Sequence, residues 1–322
     1  LSEARFIIKL IRSVRMIFTV FSKNVNFINI MKLRFLIFFL IVLSCSETLN
    51  PEYYEDWKLR RKNALYAEDG FLNLAGLYQI EDGKHTMGSA EGNDMLMPNG
   101  FPDNFAEFTV KDSIITFKYY VPVLFENKLI TDISYNYFED FNFFDRGSFR
   151  WFVHVDSGVI GIRLRNFNHP MLKSALEINH FTYSKRWIVK ATFKPFEKPK
   201  RAIIPNFQGG SYYDIVPGKI HFNYEGTEYS FEPTVRSSGR YFIAFGDLSN
   251  GESTYGGGRF LYLDPPDSNN NMTIDFNMAY NPPCVFSTFT TCPLPPKENI
   301  LPVAITAGEL DYNGVLFSSV YE

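Results

Sequence analysis

Runs of alternating apolar and polar residues, separated by short polar turns, recur along this chain from residue 108 onward. Between Trp187 and Lys194 the odd-numbered positions are apolar and most even-numbered ones are polar, which is the period of a strand with one buried face. Glu225-Gly226 separates two further runs and is typical of a two-residue hairpin loop. About ten such runs at hairpin spacing predict an antiparallel all-β fold, either a β-sandwich or a barrel. The aromatic content of 17% agrees, because aromatic side chains favour strands.

The predicted strands cover most of the chain after residue 107. They are 108–110, 114–120, 149–155, 159–165, 187–194, 219–224, 227–231, 240–245, 259–263, 272–276 and 303–307. Residues 195–205 contain three prolines and several basic residues, so they are predicted to be either a linker or one long exposed loop between two halves of a single β structure.

One α-helix is predicted before the strands. Asn50 can cap it, Pro51 suits the first helical position, and acidic residues follow in the first turn, where they complement the helix dipole. Trp57 and Leu65 share one face at helical spacing. We expect the helix to pack on the β structure through these two side chains.

The net charge of the chain differs between its first 44 residues and the rest. The whole chain has 32 basic and 35 acidic residues, and the first 44 hold seven basic and one acidic. The remainder therefore has 25 basic and 34 acidic residues, a formal charge of −9. An acidic body lacks the basic face that phosphate-backbone binding needs, so nucleic acid is not expected as a partner.

Residues 31–45 have the pattern of an export signal. Lys32 and Arg34 precede an apolar run of nine residues, far short of the roughly 20 that span a membrane. The run ends in Val-Leu-Ser-Cys, which resembles the lipobox of bacterial lipoproteins and makes Cys45 the predicted lipidation site. Residues 1–30 are then an over-extended gene start, and 46–322 a single β-rich domain. The alternative is an unprocessed signal anchor.

These features predict an exported protein held in the cell envelope by a lipid anchor, on the periplasmic side or at the cell surface. Its partners would then be the lipid membrane, through the anchor, and a small-molecule ligand. No cofactor is expected, because the chain has no nucleotide-binding loop and no metalloprotease, hydrolase or dinucleotide motif.

Two further cysteines, Cys284 and Cys292, are separated by seven residues. An exported protein favours a disulfide bond between them, worth about 2–3 kcal/mol by loop-closure arguments. Three alternatives stay open: two free buried thiols, a catalytic nucleophile, or a metal site that includes Asp275 or a histidine. The last is disfavoured because two thiolates without an adjacent third ligand make a weak signal, so no metal is predicted.

Polar residues concentrate near the C-terminus. Asp275 and Asn277 project from one face of a predicted strand, and Asn281 is held extended by the two prolines that follow it. With Arg259 and Glu309 they define what we call the C-terminal motif. The residues are expected to lie close together, either as a pocket for a polar ligand or as a hydrogen-bonded plug that pins the proline-rich loop.

The motifs around these residues resemble the bacterial and archaeal domain-of-unknown-function family 1684. The resemblance extends from about residue 52 to 310 and implies no established activity. Many members have arginine where this chain has Met278 and Ile300, which leaves Arg240 and Arg259 as the candidates for holding an anion. The matching segments are 70–77 (GFLNLAGL), 87–89 (MGS), 251–259 (GESTYGGGR), 275–284 (DFNMAYNPPC), 292–296 (CPLPP), Asn299 and 307–309 (AGE).

Two functions from different classes follow. The first is a lipid-anchored β domain that binds a small polar ligand or a partner through the C-terminal motif. The alternative is an enzyme of unknown, hydrolase-like reaction that uses the same motif, since Asp, Asn, Arg and Glu together can shift pKa values and stabilise charge. An open pocket would favour either function, whereas side chains bonded to one another under cover would favour a structural role.

Overall fold

A computed structural model of the chain describes residues 50–314. Of these, residues 52–314 belong to the compact unit that begins at Glu52. The signal segment and Cys45 lie outside the described residues, so the expectations about them stay predictions. Within residues 50–314, no helix has the length and apolar character needed to cross a membrane.

Helix α1 (Glu52–Tyr66) is the predicted helix, with Glu52 and Glu55 in its first turn. Tyr54 and Leu65 are its buried residues. Leu65 is buried as expected, whereas Trp57 is only half-buried: it stacks on Tyr54, with ring centroids 5.8 Å apart, and meets the ring of His180 edge-on at 6.1 Å. Tyr54 lies three positions earlier on the same face and takes the inner place, because its ring packs against Tyr183 at 5.2 Å.

The first part of the β structure is a nine-stranded sheet. Its strands are β1 (Leu74–Gln79), β2 (Gly83–Gly88), β3 (Met95–Leu96), β4 (Ala106–Lys111), β5 (Ile114–Phe125), β6 (Lys128–Asn136), β7 (Phe144–Arg146), β8 (Phe149–Asp156) and β9 (Val159–Asn166). They follow the order β1-β9-β8-β7-β5-β4-β2-β3, with β6 paired to β5, and every pair is antiparallel except β2 with β3.

Two-residue loops close the main hairpins of this sheet. Both loop residues have positive φ between β4 and β5, between β5 and β6, and between β8 and β9. This is the type I′ geometry, whose twist matches that of the flanking strands. Along β4, buried and exposed side chains alternate without exception. The buried face holds an aromatic core centred on Trp151, whose Nε1 donates to the Tyr119 hydroxyl at 3.3 Å.

The second part consists of a four-stranded and a three-stranded sheet, both antiparallel. The strands are β10 (Ile188–Pro205), β11 (Ser211–Tyr224), β12 (Thr227–Phe231), β13 (Thr234–Val235), β14 (Tyr241–Phe245), β15 (Arg259–Leu263) and β16 (Asn271–Asp275). The four-stranded sheet has the order β12-β11-β10-β16, and its core includes Trp187, Phe231 and Phe276. The prediction of an antiparallel all-β fold with one N-terminal helix packed on it is confirmed.

Two segments differ from the sequence-based expectation. Residues 195–205 are neither linker nor loop: they continue β10, and the β10–β11 register shifts between Pro195 and Lys200, where proline cannot donate to the ladder. Residues 303–307 are not a strand. The apolar residues of this segment include Ile305 and Ala307, which are buried. Their carbonyls accept hydrogen bonds from the side chain of Arg259 and not from a neighbouring strand.

The two parts touch where the β8–β9 turn meets the β10–β11 hairpin. Asn206 Nδ2 donates to the Ser157 carbonyl at 2.9 Å. Nearby, the Thr291 hydroxyl donates to Asp156 at 3.0 Å and lies 3.1 Å from His154 Nε2. Burial, with a smaller contribution from a neighbouring arginine, lowers the pKa of His154 to about 4, so this histidine is neutral near pH 7.

Candidate functional site

Asn281 and Glu309 of the C-terminal motif meet under helix α1. Glu309 has a fully buried carboxylate whose Oε2 accepts a hydrogen bond from the backbone N–H of Asn281 at 2.7 Å. Its Oε1 accepts from Arg61 Nε at 3.1 Å, and Arg61 Nη2 donates to the Asn281 carbonyl at 2.9 Å. The Arg61 side chain is 11% exposed. A residue of α1 that the sequence did not single out therefore completes this part of the motif.

Aromatic rings cover the same guanidinium group. The Cζ atom of Arg61 lies 4.6 Å from the centroid of Tyr280 and 5.7 Å from that of Phe286. At these distances a cation is attracted by the negative face of the ring. Arg61 thus has a carboxylate, a carbonyl and two aromatic rings around one planar cation.

Gly308 sets the position of the Glu309 carboxylate. Its φ is +80°, and a Cβ there would lie 2.3 Å from the Ala279 carbonyl oxygen, closer than real Cβ atoms come. On either side of it, Phe181 N donates to Gly308 O and Glu309 N donates to Ala279 O. Only glycine suits this backbone, so the Ala-Gly-Glu order of the motif has a local geometric reason.

Asp275 and Asn277 form a second, separate set of bonds. One oxygen of Asp275 accepts from the backbone N and the side-chain Nδ2 of Asn277, at 3.0 and 2.8 Å. The other accepts from the Tyr53 hydroxyl at 2.9 Å. Asn277 also bonds the backbone of Ser184 through both ends of its amide. This arrangement ties the end of β16 to the segment before β10 and to the start of α1.

Arg259 is fully buried in a third set of contacts. Its Nη2 donates to Asp247 Oδ2 and to the Ile305 carbonyl, both at 2.8 Å, and its Nη1 donates to the Ala307 carbonyl. Burial lowers the pKa of Arg259, and the neighbouring Asp247 carboxylate opposes that shift. The guanidinium holds residues 305–307 in place, which explains why this segment needs no strand partner.

Arg240 lies apart from these three sets. Its guanidinium pairs with Asp264 at 3.2 Å on the surface, where the Asp264 side chain is 87% exposed. It also stacks over Tyr262. Of the six candidate ligand-binding residues, the structure therefore bonds Asn281 to Glu309 and Asp275 to Asn277, and gives Arg240 and Arg259 other partners.

Cys284 and Cys292 are buried and are free thiols in the structure. The Cys292 sulfur accepts from the Cys284 amide at 3.2 Å, and the Tyr255 hydroxyl lies 3.8 Å from the Cys284 sulfur. A hydrogen bond to Cys292, together with burial, raises the pKa of the Cys284 thiol. The disulfide bond stays a prediction. Within residues 50–314, no three His, Cys, Asp or Glu side chains are grouped as metal ligands would be.

A cleft of about 1020 Å³ lies on the outer face of the four-stranded sheet. Thr192 of β10 is opposite both His221 of β11 and Asn271 of β16, so these three side chains form one row on that face. Lys190 and Lys194 flank the row along β10. Asp264, Pro265 and Asp267 border the cleft. The alternation in β10 predicts a polar face, but sequence alone does not show that a loop beside it makes the face concave.

The charged groups of the cleft are unequally paired. His221 Nδ1 lies 2.8 Å from Glu228 Oε1, Asp264 is bonded to Arg240, and Asp267 accepts from the backbone of residues 269 and 271. In contrast, neither Lys190 nor Lys194 has an ion pair or a side-chain hydrogen bond with any residue of the described range. We call the cleft, with its two lysines, the lysine cleft.

The residues that line the cleft lie within residues 175–314. The contacts of the C-terminal motif lie there too, apart from those that α1 provides. Over most of that length the chain matches a family model. Residues 176–310 match the family described as Protein of unknown function (DUF1684). The resemblance predicted from the motifs is confirmed over this segment, while residues 70–77 and 87–89 lie outside the match.

One solved structure is similar to the chain over a comparable length. It is the solution NMR structure of an uncharacterized protein from Haloarcula marismortui, with 27% identity and a TM-score of 0.37, covering 44% of this chain and 80% of that one. No curated protein matches the chain. We call residues 176–310 the DUF1684 segment; the family description for this segment states no activity.

The DUF1684 segment contains the lysine cleft and Tyr280, Asn281, Phe286 and Glu309, but not α1. Met278 is half-buried and Ile300 is 52% exposed, so these two replacements leave no cation at either position. Lys190 and Lys194 of the lysine cleft are cationic groups of this segment that face a cavity and have no ion-pair partner among the described residues.

Proposed function

We propose that the protein is an exported, lipid-anchored β domain that binds a small anionic, polar ligand in the lysine cleft. The observation that carries the proposal is the pair of unpaired ammonium groups, Lys190 and Lys194, in the cleft of about 1020 Å³. A concave site with a few convergent polar groups is where small ligands bind in proteins. The polar groups of the C-terminal motif are mostly engaged with one another and with backbone, so the lysine cleft is the better candidate for a binding site.

The two lysines of the cleft lie on β10, where they can bind an anionic group. The lining also holds three carboxylates, Glu228, Asp264 and Asp267, and Asp264 is paired with Arg240, so the charges balance overall and the positive charge is confined to the β10 side of the cleft. An anionic group of a ligand would therefore bind at the lysines, and hydroxyl groups could face the carboxylates on the other side of the cleft.

The spacing of the lysines favours a ligand of several polar groups. Lys190 and Lys194 are four residues apart on one strand, about 13 Å at 3.3 Å per residue. The hydroxyl of Thr192 lies between them. A carboxylated or phosphorylated ligand with hydroxyl groups, such as an acidic sugar, matches this arrangement.

Replacement of both lysines, Lys190→Gln with Lys194→Gln, is expected to weaken ligand binding about tenfold or more for each ammonium removed, because a charge-assisted hydrogen bond is worth about 1.5–3 kcal/mol. Inorganic phosphate, citrate and glucuronate are the probes. Thermal shift and titration calorimetry on the wild type and the double variant measure the effect. Binding should also weaken as salt rises, since both ammonium groups are exposed.

Lys111→Gln with Lys128→Gln is the matched control, because both residues are exposed strand lysines outside the cleft. This control should bind as the wild type does. If no probe stabilises the wild type, or if the two double variants respond equally, the cleft is not the binding site.

Hydrolysis of the bound ligand is a second candidate function, favoured by one arrangement. Thr192 lies directly opposite His221, which is bonded to Glu228, so a hydroxyl, an imidazole and a carboxylate follow one another across the sheet. These are the three parts of a nucleophilic triad. Mass spectrometry of ligand recovered from the binding experiment separates the candidates: unchanged ligand indicates binding alone, and a hydrolysed product indicates catalysis.

The proposed lipid anchor rests on the signal pattern that ends at Cys45. Cys45 precedes the first described residue by five positions. A fully extended stretch of that length spans about 18 Å at most, so the anchor would keep the body at the membrane surface. Cys45→Ala is expected to leave an unprocessed, slower-migrating form without lipid label. Ser46→Ala, the neighbouring control, should be processed and labelled. Normal processing of Cys45→Ala would overturn the anchor.

A further inference from the structure

Three phenylalanines are exposed in the loop between β6 and β7. Phe138, Phe141 and Phe143 are 61%, 65% and 39% exposed, and the ring centroids of Phe141 and Phe143 lie 4.8 Å apart. A group of exposed aromatic side chains marks a surface that contacts another molecule more often than it marks an ordinary loop. We call these three residues, with the exposed carboxylates of Glu139 and Asp140 between them, the aromatic patch.

The loop that carries the aromatic patch is fixed by Asn136. The side-chain Oδ1 of Asn136 accepts from the backbone N–H of Phe138 at 3.0 Å. Its backbone carbonyl accepts from the backbone N–H groups of Glu139 and Asp140, at 3.1 and 2.8 Å. The backbone of the patch is therefore held in place before any partner binds, which lowers the entropic cost of binding.

The outer face of the β10–β11 hairpin is a second exposed apolar surface. Ile203 is opposite Tyr213, and Arg201 is opposite Ile215, so the four side chains share one face. The three uncharged ones are 59%, 57% and 52% exposed in that order. The guanidinium group of Arg201 lies over the Tyr213 ring, with Cζ 3.8 Å from the centroid. We call these four residues, with the exposed Lys198, the hairpin patch.

The two patches have charges of opposite sign. Residues 137–143 hold two acidic and no basic residues, a formal charge of −2, and neither carboxylate has an ion-pair partner among the described residues. Residues 195–205 hold three basic residues and one acidic residue, a formal charge of +2. Of the three basic residues, Lys200 is paired with a buried carboxylate, whereas Lys198 and Arg201 have no ion-pair partner in the described range. Opposite charges of this kind steer two surfaces together and set how they dock.

We propose that the aromatic patch of one copy of this chain binds the hairpin patch of another copy. Each surface combines exposed apolar groups with one sign of charge, and a second copy supplies the matching surface of the opposite sign. The two patches do not cover each other within one chain, since both are exposed in it. Association through two unlike surfaces is head-to-tail. The contact uses no residue that lines the lysine cleft, so it does not depend on ligand binding there.

Co-expression of two differently tagged full-length copies tests the proposal, one copy with Phe141→Cys and the other with Ile203→Cys. A short bis-maleimide should join these two copies with a yield several-fold above that of Phe141→Cys with Leu248→Cys. Leu248 is the matched control, because it is 64% exposed and lies outside both patches. Cys284 and Cys292 are buried, and two copies without new cysteines give the background.

Reversal of charge separates specific docking from random collision. Glu139→Lys with Asp140→Lys reverses the aromatic patch, and Lys198→Glu with Arg201→Glu reverses the hairpin patch. Either reversal alone, made on the copy that carries the cysteine of that patch, should weaken the association about tenfold, because exposed attractions become repulsions. The two reversed copies together should recover the cross-linked yield, which misfolded copies could not do.

Three results would overturn the contact between unlike patches. One is an equal yield with Ile203→Cys and with Leu248→Cys as the partner of Phe141→Cys. Another is a yield that stays low when both patches are reversed. The third is stronger cross-linking between two copies that both carry Phe141→Cys, or both carry Ile203→Cys, since like patches would then meet.

Discussion

Replacement of Arg259 by methionine is expected to lower the free energy of unfolding by about 5 kcal/mol or more. The Asp247 carboxylate would be left buried and unpaired, which costs about 3–5 kcal/mol when one partner of a buried pair is removed. The carbonyls of Ile305 and Ala307 would lose their donor, at about 1–3 kcal/mol each where no water replaces it. Urea denaturation of purified protein measures the loss.

Arg240→Met is the matched control, since Arg240 is paired with an exposed carboxylate on the surface. An exposed ion pair contributes about 0–1 kcal/mol, so this variant should unfold close to the wild type. Asp247→Asn combined with Arg259→Met should recover part of the loss, because the unpaired charge is then gone. Similar losses in the free energy of unfolding for Arg240→Met and Arg259→Met would contradict the conclusion that Arg259 holds residues 305–307 in place.

Gly308→Ala is expected to cost about 3–5 kcal/mol. A left-handed backbone costs an L-residue about 1–2 kcal/mol. The new Cβ would also lie 2.3 Å from the Ala279 carbonyl oxygen, and overpacking of this kind adds about 1–3 kcal/mol or more. The clash is with backbone, so it cannot be relieved by a side-chain rotation. Thermal and urea unfolding measure the loss.

Gly226→Ala separates the two contributions. Gly226 has φ +82°, nearly that of Gly308, but a Cβ there would meet nothing within 4 Å. This variant should lose only the 1–2 kcal/mol of the left-handed conformation. The difference between the two glycine variants measures the close approach at Gly308. If both lose the same amount, the backbone around Ala279 moves freely and does not fix Glu309.

The hairpins of the fold were predictable because their signals are local. Alternation of side chains and two-residue turns such as Glu225-Gly226 depend on neighbouring residues alone, and the corresponding strands are present. The capping residues of α1 are local in the same sense. Pairing between distant strands, such as β1 with β9, carries no comparable signal in a single sequence.

The partners of the polar residues were not predictable, because their bonds join distant positions. Arg259, Asp275, Asn281 and Glu309 were recognised as unusual from their density, yet nothing in the sequence pairs Arg259 with Asp247 or Glu309 with Arg61. Residues 303–307 have the sequence pattern of a strand because every second residue is apolar and buried. That pattern is the same whether the carbonyls of the segment accept hydrogen bonds from a strand or from a guanidinium group. Trp57 illustrates a related limit: helical spacing identifies a face, and the neighbouring Tyr183 decides which aromatic residue lies inside.

The contact between Arg61 and Glu309 also constrains the order in which the molecule can be completed. These residues are 248 positions apart. During synthesis from the N-terminus, α1 leaves the ribosome long before its carboxylate partner exists. The contacts of α1 with residues 171–176 can form once that segment has been made, but Arg61 stays without its carboxylate partner until residue 309 has been added.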